Sequence, residues 1–439
     1  MNLFTYRLLT SLALPLVAYQ GWKRCKKQPK IPYCFRARFG FNPTSFQKNG
    51  IWIHAVSVGE TRSIFPLLTQ LKQQYPTLPL TVTNGSTQGA LQALQFSPVE
   101  IQHQMIPYDY PFAVNRFLTQ IQPKLVIMVE TEIWPNLYQA CVERNIPIIL
   151  INARLKEKSF LAYQKWGGGV IKNALNQTQF IATQFSIDSE YFQKLGAAPD
   201  KIKTLGNLKF DLELPSNIEQ QAHAWKSSHQ LNNRFIWVAA STHAHPDGNQ
   251  PSEEQLLLQA HQQLMDALPK NIPPPLLIIV PRHAERFESV AQQIAKSNLS
   301  FARHSQNQPI TTKTQVYLAD SMGELMLWFA SCNAAFIGGS LVPFGGHNIL
   351  EPAALKKPVL SGPFYSNLQA LFETFAKDGA LTITPTPNAL SKQLMHLIKS
   401  PDTQQKLGGN AYQSVQKHSG ALPKLLQKIH AIIPPPSHE

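Results

Sequence analysis

The stretch Ala334 to Pro352, AAFIGGSLVPFGGHNILEP, decides the fold class. Ala334–Ile337 read as a buried strand. Two glycine pairs follow, Gly338-Gly339 and Gly345-Gly346, with Ser340 behind the first and His347 behind the second. Asn348, Ile349, Leu350 and Glu351 then read as the first turn of a helix. Glycines let the backbone approach a phosphate, and a helix N-terminus offers N–H donors and positive potential. A strand feeding such a turn is the ligand-binding corner of a doubly wound α/β sheet. The spacing is neither G-x-x-x-x-G-K-[ST] nor G-x-G-x-x-G. Glu351 would repel a phosphate and suits ribose hydroxyls instead.

Outward from this corner, short β-branched runs alternate with longer amphipathic stretches, the mark of parallel sheets with crossover helices. The strand candidates before the corner are Phe235–Ala240, Leu276–Val280 and Val316–Leu318, with Pro358–Leu360 after it. A first series lies nearer the N-terminus: Ile51–Val56, Leu80–Thr83, Leu125–Val129, Ile146–Ile151 and Phe180–Thr183. Between the two series, Asp211–Asn233 is polar, helix-like and punctuated by Pro215. At 439 residues the chain is too long for one ordinary domain. The expected organisation is a basic N-terminal anchor at 1–30, an α/β domain at 31–212, a linker at 213–233 and a second α/β domain at 234–432. Such halves would face each other across a cleft.

Ligands bind beyond the carboxyl ends of parallel strands, so the residues there are the site candidates. Ile51–Val56 leads to Ser57-Val58-Gly59-Glu60 and a helix. A carboxylate at that position is favoured by the helix dipole, and it also suits a general base. Leu125–Val129 leads to Glu130-Thr131-Glu132-Ile133-Trp134-Pro135, carboxylates beside an aromatic that can bind a sugar or cap the next helix. Leu276–Val280 leads to Pro281-Arg282-His283, where arginine can fork onto a phosphate. No aspartate pair occurs at D-x-D spacing, so a phosphate clamp would rest on cationic side chains and backbone donors rather than on a divalent metal. No metal site and no cofactor are expected. His243-Ala244-His245 has the spacing of a ligand pair, but a lone H-x-H in a polar loop is more often incidental.

Lys+Arg number 40 against Asp+Glu 26, a surplus of +14. Such a surplus attracts polyanions, yet zinc-finger spacing, heptad-linked basic regions and RNA-binding aromatic signatures are all missing, which argues against nucleic acid. Cys25, Cys34, Cys141 and Cys332 show no C-x-x-C pair, and neither a disulfide scaffold nor a zinc site is expected. The apolar run Leu8–Tyr19 precedes Trp22, Lys23, Arg24, Lys26, Lys27 and Lys30. Positive charge after the apolar run is the reverse of a cleaved signal peptide, and it favours keeping the bulk of the chain on the cytoplasmic side of a membrane. A helix spanning the bilayer, one lying in its interface and one packed on the protein itself are all open at this point.

Five ordered motifs carry a resemblance: His54-Ala55-Val56-Ser57-Val58-Gly59-Glu60, Val129 to Asn136 (VETEIWPN), Gly206 to Asp211 (GNLKFD), Pro281-Arg282-His283-x-x-Arg286, and the glycine segment ending Gly346-His347-Asn348-x-Leu350-Glu351-Pro352. Over nearly its whole length the chain resembles the Kdo transferases of lipopolysaccharide synthesis. The resemblance implies a GT-B fold and a metal-independent, inverting transfer of Kdo (3-deoxy-D-manno-octulosonic acid) from CMP-Kdo to the lipid A precursor, at the cytoplasmic face of a bacterial inner membrane. It implies Glu60 as general base, with Glu130 and Lys209 supporting the transition state. It assigns CMP to Pro281, Arg282, the Met322-Gly323-Glu324-Leu325 turn and Asn348–Glu351. The segment Ala244–Ser252 departs from the family pattern, so no role is carried over to the carboxylates around it. The alternative reading is another GT-B transferase, or a sugar-nucleotide epimerase, using a UDP-sugar.

Overall fold

The strands of this chain are short apolar runs because parallel strands are covered on both faces by helices. In the computed structural model, which describes residues 1–27, 30–42, 45–212 and 214–435, they form two seven-stranded sheets. Every strand pairing is parallel. The chain divides into two units, residues 1–211 with 418–439, and residues 212–417.

The first sheet runs in the order β3-β2-β1-β4-β5-β6-β7. Its strands are β1 Ile51–His54, β2 Leu80–Asn84, β3 Gln102–Met105, β4 Leu125–Val129, β5 Ile148–Ala153, β6 Phe180–Thr183 and β7 Ile202–Thr204. β1 lies between β2 and β4, with Ile51 beside Leu80 on one side and Leu125 on the other. The order therefore reverses between β1 and β4, and loops leaving those two strands diverge to opposite faces.

The second sheet runs β10-β11-β9-β8-β12-β13-β14. Its strands are β8 Ile236–Thr242, β9 Leu276–Pro281, β10 Phe301–Arg303, β11 Val316–Leu318, β12 Ala334–Ile337, β13 Val359–Ser361 and β14 Thr382–Ile383. Here the reversal falls between β8 and β12.

Three expectations need correction. The stretch at 213–233 is not a free linker; of it, Glu213 lies outside the described residues. Its helix Ile218–Ser228 buries Ile218 and Ala222 and sets Trp225 edge-on to Trp328 at 5.3 Å, so it is part of the second unit. The second α/β unit does not run to 432, because helix Ala421–Ile432 returns to the first. There Leu422, Leu425 and Ile429 join the core of Ile51, Ile53 and Val129. Asp211 fixes that return: its carboxylate accepts the N–H groups of Gly420 (2.5 Å) and Leu422 (2.7 Å) at the helix start. Finally, Cys25 and Cys34 form a disulfide. The disulfide joins the last turn of the N-terminal helix Leu3–Lys26 to the start of the short helix Cys34–Ala37, Cα atoms 5.6 Å apart, a proximity that spacing alone does not reveal. Gln28 and Pro29 of the expected anchor segment lie outside the described residues.

Candidate active site

In the first unit, the loops after β1 and β4 bring the conspicuous carboxylates to the sheet reversal. Ser57 caps helix Val58–Ser63, its hydroxyl oxygen accepting the Glu60 N–H at 3.3 Å. The Glu60 carboxylate folds back to accept the Val56 N–H at 2.6 Å and the Ser57 hydroxyl at 2.7 Å. This is close to a capping box, with Val56 donating in place of the cap residue. Each carboxylate oxygen keeps a second lone-pair site. Burial, and then the Glu130 charge, raise the Glu60 pKa above the ordinary carboxylate value, while the Ser57 and Val56 bonds pull it back.

Glu130 follows β4 directly and adopts the left-handed conformation, φ +62°. A non-glycine residue held there is strained by about 1–3 kcal/mol, a cost concentrated at functional sites. Its carboxylate meets the Lys209 ammonium at 3.5 Å. Lys209 sits in a single 3₁₀ turn, Leu208–Phe210, that is pinned by Asn207 accepting the Lys209 N–H and by Asn152 accepting the Leu208 N–H. Sequence reasoning does not single out Asn152, although its own φ of +49° at the end of β5 marks it in the structure. Burial pushes Glu132 up to about 7; the Trp134 indole N–H at 2.6 Å opposes this, and Glu60 and Glu130 add to it. His54 is wholly buried beneath these groups, and burial holds it neutral, with a pKa near 3. Glu60, Glu130 and Lys209 are thus brought together, with Glu132 as a third acid.

In the second unit, the loops after β8 and β12 meet at the other reversal. Glu253 and Glu254, to which the sequence reading assigns no role, hold this corner. The Glu253 carboxylate accepts backbone N–H groups from His243 (3.2 Å), Gly339 (2.6 Å), Ser340 (3.0 Å) and Leu341 (2.9 Å). Gly338 makes room for it, since a Cβ there would lie 2.7 Å from the carboxylate. Gly339, Gly345 and Gly346 all have positive φ. Glu254 is fully buried and takes both terminal nitrogens of Arg286 at 2.7 Å, so Arg286 is a structural anchor. Arg282, half-buried, is tied through its backbone N–H to Thr242.

His243 does not pair with His245. Its Nε2 lies 2.7 Å from the Nε2 of His347, so one ring donates to the other, and Phe344 stacks on it at 3.6 Å. His283 stands edge-on at 5.3 Å. Burial, then His347, His283, Arg286 and Arg282, push the His243 pKa down to about 3. His243 is therefore an uncharged imidazole in the positive field of Arg286 and Arg282. The expected helix start at Asn348 is corrected. Helix Leu350–Ala354 has only five residues, and Asn348 precedes it, accepting the Leu350 N–H at 3.2 Å. A helix of five residues has little dipole to offer, and Asn348 acts as a cap before it rather than as a first-turn residue. Glu351 lies in the first turn of that helix, behind buried Ile349 and Leu350. Met322 is exposed, Gly323 has φ +93°, and Glu324 precedes helix Leu325–Ser331 with its carboxylate 3.0 Å from His304.

Residues 34–212 match the family model described as 3-deoxy-D-manno-octulosonic-acid transferase (kdotransferase). A 3-deoxy-D-manno-octulosonic acid transferase of Haemophilus influenzae is 36% identical over 433 residues, covering 97% of each chain. The enzyme of the same description from Bordetella pertussis is 29% identical and covers 86% of each. Among solved structures, UDP-GlcNAc 2-epimerase from Neisseria meningitidis bound to UDP-GlcNAc superposes with a TM-score of 0.54 at 14% identity, covering 87% of this chain and all of that one. At that identity the likeness speaks for the fold alone, an α/β GT-B-like arrangement of two parallel sheets. Identity of about a third along nearly the whole chain means that it belongs to the 3-deoxy-D-manno-octulosonic acid (Kdo) transferases, a family of glycosyltransferases.

Proposed function

We propose that the chain transfers Kdo from CMP-Kdo to the glucosamine hydroxyl of a lipid A precursor (lipid IVA), with inversion and without a metal. The observation that carries this reading is the buried Glu60 carboxylate, raised in pKa and set beside the Glu130–Lys209 pair at the first sheet's reversal. In the step, the acceptor oxygen forms a bond to the anomeric carbon as its proton passes to Glu60. The bond from that carbon to the CMP phosphate oxygen breaks, and CMP leaves with the electron pair. Lys209 and Glu130 steady the charge that develops around a carbon already bearing a carboxylate. Arg282 and the histidine corner at His243, His283 and His347 receive the phosphate, and Asn348–Glu351 with Met322–Leu325 hold the nucleoside. An acceptor carried in the bilayer agrees with a basic chain working at the cytoplasmic face of an inner membrane.

Mass spectrometry of the lipid after incubation with CMP-Kdo and tetra-acylated lipid A precursor tests the assignment. A gain of one or more Kdo units, unchanged by EDTA, is the expected outcome. Competition should come from CMP and not from UDP; inhibition by UDP alone would favour the UDP-sugar reading. Lys209→Ala should lower kcat about 10²-fold, by analogy with the loss of one charge-stabilising donor. Its CMP affinity, measured by calorimetry, should be unchanged, and a matching loss of CMP affinity would move Lys209 from the transition state to donor binding.

A further inference from the structure

β11 (Val316–Leu318) runs out into Ala319-Asp320-Ser321-Met322-Gly323-Glu324 before helix Leu325–Ser331 begins. Ligands of a parallel sheet bind beyond this end of its strands. The outer side of the turn is open. Met322 is 58% exposed, and a Cβ on Gly323, at φ +93°, would meet nothing within 4 Å. Glycine is needed there for its backbone conformation, and the space above it is unfilled. The inner side of the turn is organised around Glu324.

His304 follows β10 (Phe301–Arg303). Its Nε2 lies 3.0 Å from the Glu324 carboxylate oxygen Oε2, and its Nδ1 lies 2.8 Å from the hydroxyl oxygen of Tyr317 in β11. The tyrosine sets the direction of both bonds. Burial, then the charges of Asp320 and Glu324, push its pKa up to about 12, so the hydroxyl keeps its hydrogen and donates it to Nδ1. A ring with its hydrogen on Nδ1 would leave this buried hydroxyl without an acceptor among the described residues. In the neutral imidazole the hydrogen is therefore on Nε2, and Nε2–H donates to Glu324.

The ring is held in that pose. Wholly buried Trp328 stands edge-on to it at 5.2 Å and Tyr317 at 6.0 Å. Its chain neighbours are moored as well. Asp320 accepts Arg303 Nε at 2.9 Å, the Ser305 N–H at 2.8 Å and the Ser305 hydroxyl at 2.6 Å. Residues on either side of His304 are thus tied to the turn that Glu324 ends. The Ser321 hydroxyl donates to the same Glu324 oxygen as His304 does, so Oε2 is engaged twice by the protein. Oε1 takes no hydrogen bond among the described residues, on a side chain that is 38% exposed.

A carboxylate oxygen can only accept, so Oε1 suits an amino or a hydroxyl group. In a cytidine nucleotide, the ribose hydroxyls are matched by Glu351. The donor left over is the exocyclic amino group of the base. Uracil carries a carbonyl at that place, which a carboxylate repels. We propose that Glu324 selects cytosine through its amino group, and that His304 and Tyr317 are positioning residues that aim the carboxylate. This rests on the reading of the donor as a CMP-sugar held at Met322–Leu325, and it names the side chain of that turn that chooses the base.

Calorimetric binding of CMP and of UMP to the full chain, without acceptor, tests the proposal. Wild type should bind CMP about fifty-fold more tightly than UMP. Glu324→Gln should bring the ratio to within about three-fold of one, because an amide accepts from the amino group of cytosine and donates to the carbonyl of uracil. His304→Leu should cut the ratio about ten-fold, the scale of one hydrogen bond to a charged group. Glutamine can place an N–H near the Nε2 position, whereas asparagine reaches only the Nδ1 position. His304→Gln should therefore restore most of the ratio, and His304→Asn should not.

The ratio is the signature, since a turn that has merely loosened loses both nucleotides in proportion. His304→Leu weakening CMP and UMP alike would make His304 a structural support and overturn the proposal. So would a Glu324→Gln variant that still prefers CMP. A preference of wild type for CMP over 2′-deoxy-CMP that vanishes in Glu324→Gln would assign the carboxylate to the ribose and overturn it too. Wild type binding UMP as tightly as CMP would remove the CMP-sugar reading itself, and this proposal with it.

Discussion

Glu60→Gln lowers kcat for Kdo transfer about 10²–10⁴-fold, the range for losing a positioned general base, with CMP binding unchanged. Glutamine keeps the size of the side chain and an oxygen that can accept the Val56 N–H at the 2.6 Å position, so the start of helix Val58–Ser63 survives. What it cannot do is take a proton. The pH profile carries a second signature. Only the ionised carboxylate is a base, and Glu60 is pushed above the ordinary carboxylate value by burial and then by Glu130. The rate therefore rises with pH through that elevated pKa and levels off above it. Glu130→Gln removes one of the two raising influences, so the acid limb should move to lower pH whatever happens to the plateau. Steady-state rates over a pH series, on wild type and both variants, decide the matter. If Glu60→Gln keeps more than a tenth of the activity, Glu60 is a helix cap and nothing more. Its loss would then cost only the ~1 kcal/mol of a capping interaction.

Much of the fold is legible in the sequence because central parallel strands are covered on both faces and read as continuous apolar runs. Leu125–Val129, Phe180–Thr183, Val316–Leu318 and Ala334–Ile337 are found at the bounds expected for them. The four strands that pattern reading misses are β3, β7, β10 and β14, and each is at a sheet edge. Gln102–Met105 reads QHQM, with two of its four residues half-exposed, and has no reason to look like a core strand. Ile202–Thr204 buries only its first residue. An edge strand is partnered on one side and often wetted, so its composition follows solvent rather than the sheet. The same reasoning explains the misplaced C-terminal boundary. An amphipathic helix such as Ala421–Ile432 shows that it needs an apolar partner, but not which of two cores supplies it.

The candidate site divides along similar lines. Residues on strand-end turns, such as Glu60, Glu130, Arg282 and the glycine pairs, stand out because they interrupt apolar runs. The supporting groups do not. Glu253 and Glu254 look like solvated first-turn acids of helix Glu253–Asp266, since Ser252 and Gln255 form an ordinary capping box around them. Only the tertiary structure shows both fully buried. His243 likewise reads as half of an H-x-H pair, while its partner lies 104 residues away at His347. Residues acting through other residues leave a faint trace in one sequence, because their spacing is set by the fold and not by the chain.

Glu253→Ala is the test of that supporting layer, and its expected effect on stability is large. The substitution strips the acceptor from four backbone N–H groups at once, those of His243, Gly339, Ser340 and Leu341. A buried donor left unpaired costs about 1–3 kcal/mol. Water entering the space left by the side chain would satisfy some of the four, so a total of about 4 kcal/mol is expected rather than the full sum. For a unit of this size that lowers Tm by roughly 8–16 °C, measurable by scanning calorimetry. Glu253→Gln should recover less than half of the loss, because its amide nitrogen turns two hydrogens toward groups that are themselves donors. Ionisation adds a pH dependence. Burial pushes Glu253 up to about 7 against the pull of the Gly339, Leu341 and Ser340 N–H groups, and Glu254 adds to the rise. A folded pKa above the unfolded value means that this group's stabilisation is complete below about 4.5 and fades as pH rises toward 7. The gap in Tm between wild type and Glu253→Gln, whose side chain does not titrate, should therefore be steady below about 4.5, change as pH rises through about 7, and level off only once Glu253 is ionised in the folded state. Because Glu253 shapes the glycine turn rather than touching a ligand, CMP affinity should fall along with Tm. A variant that loses less than about 2 °C and binds CMP normally would mean that the turn holds its shape through its glycines alone.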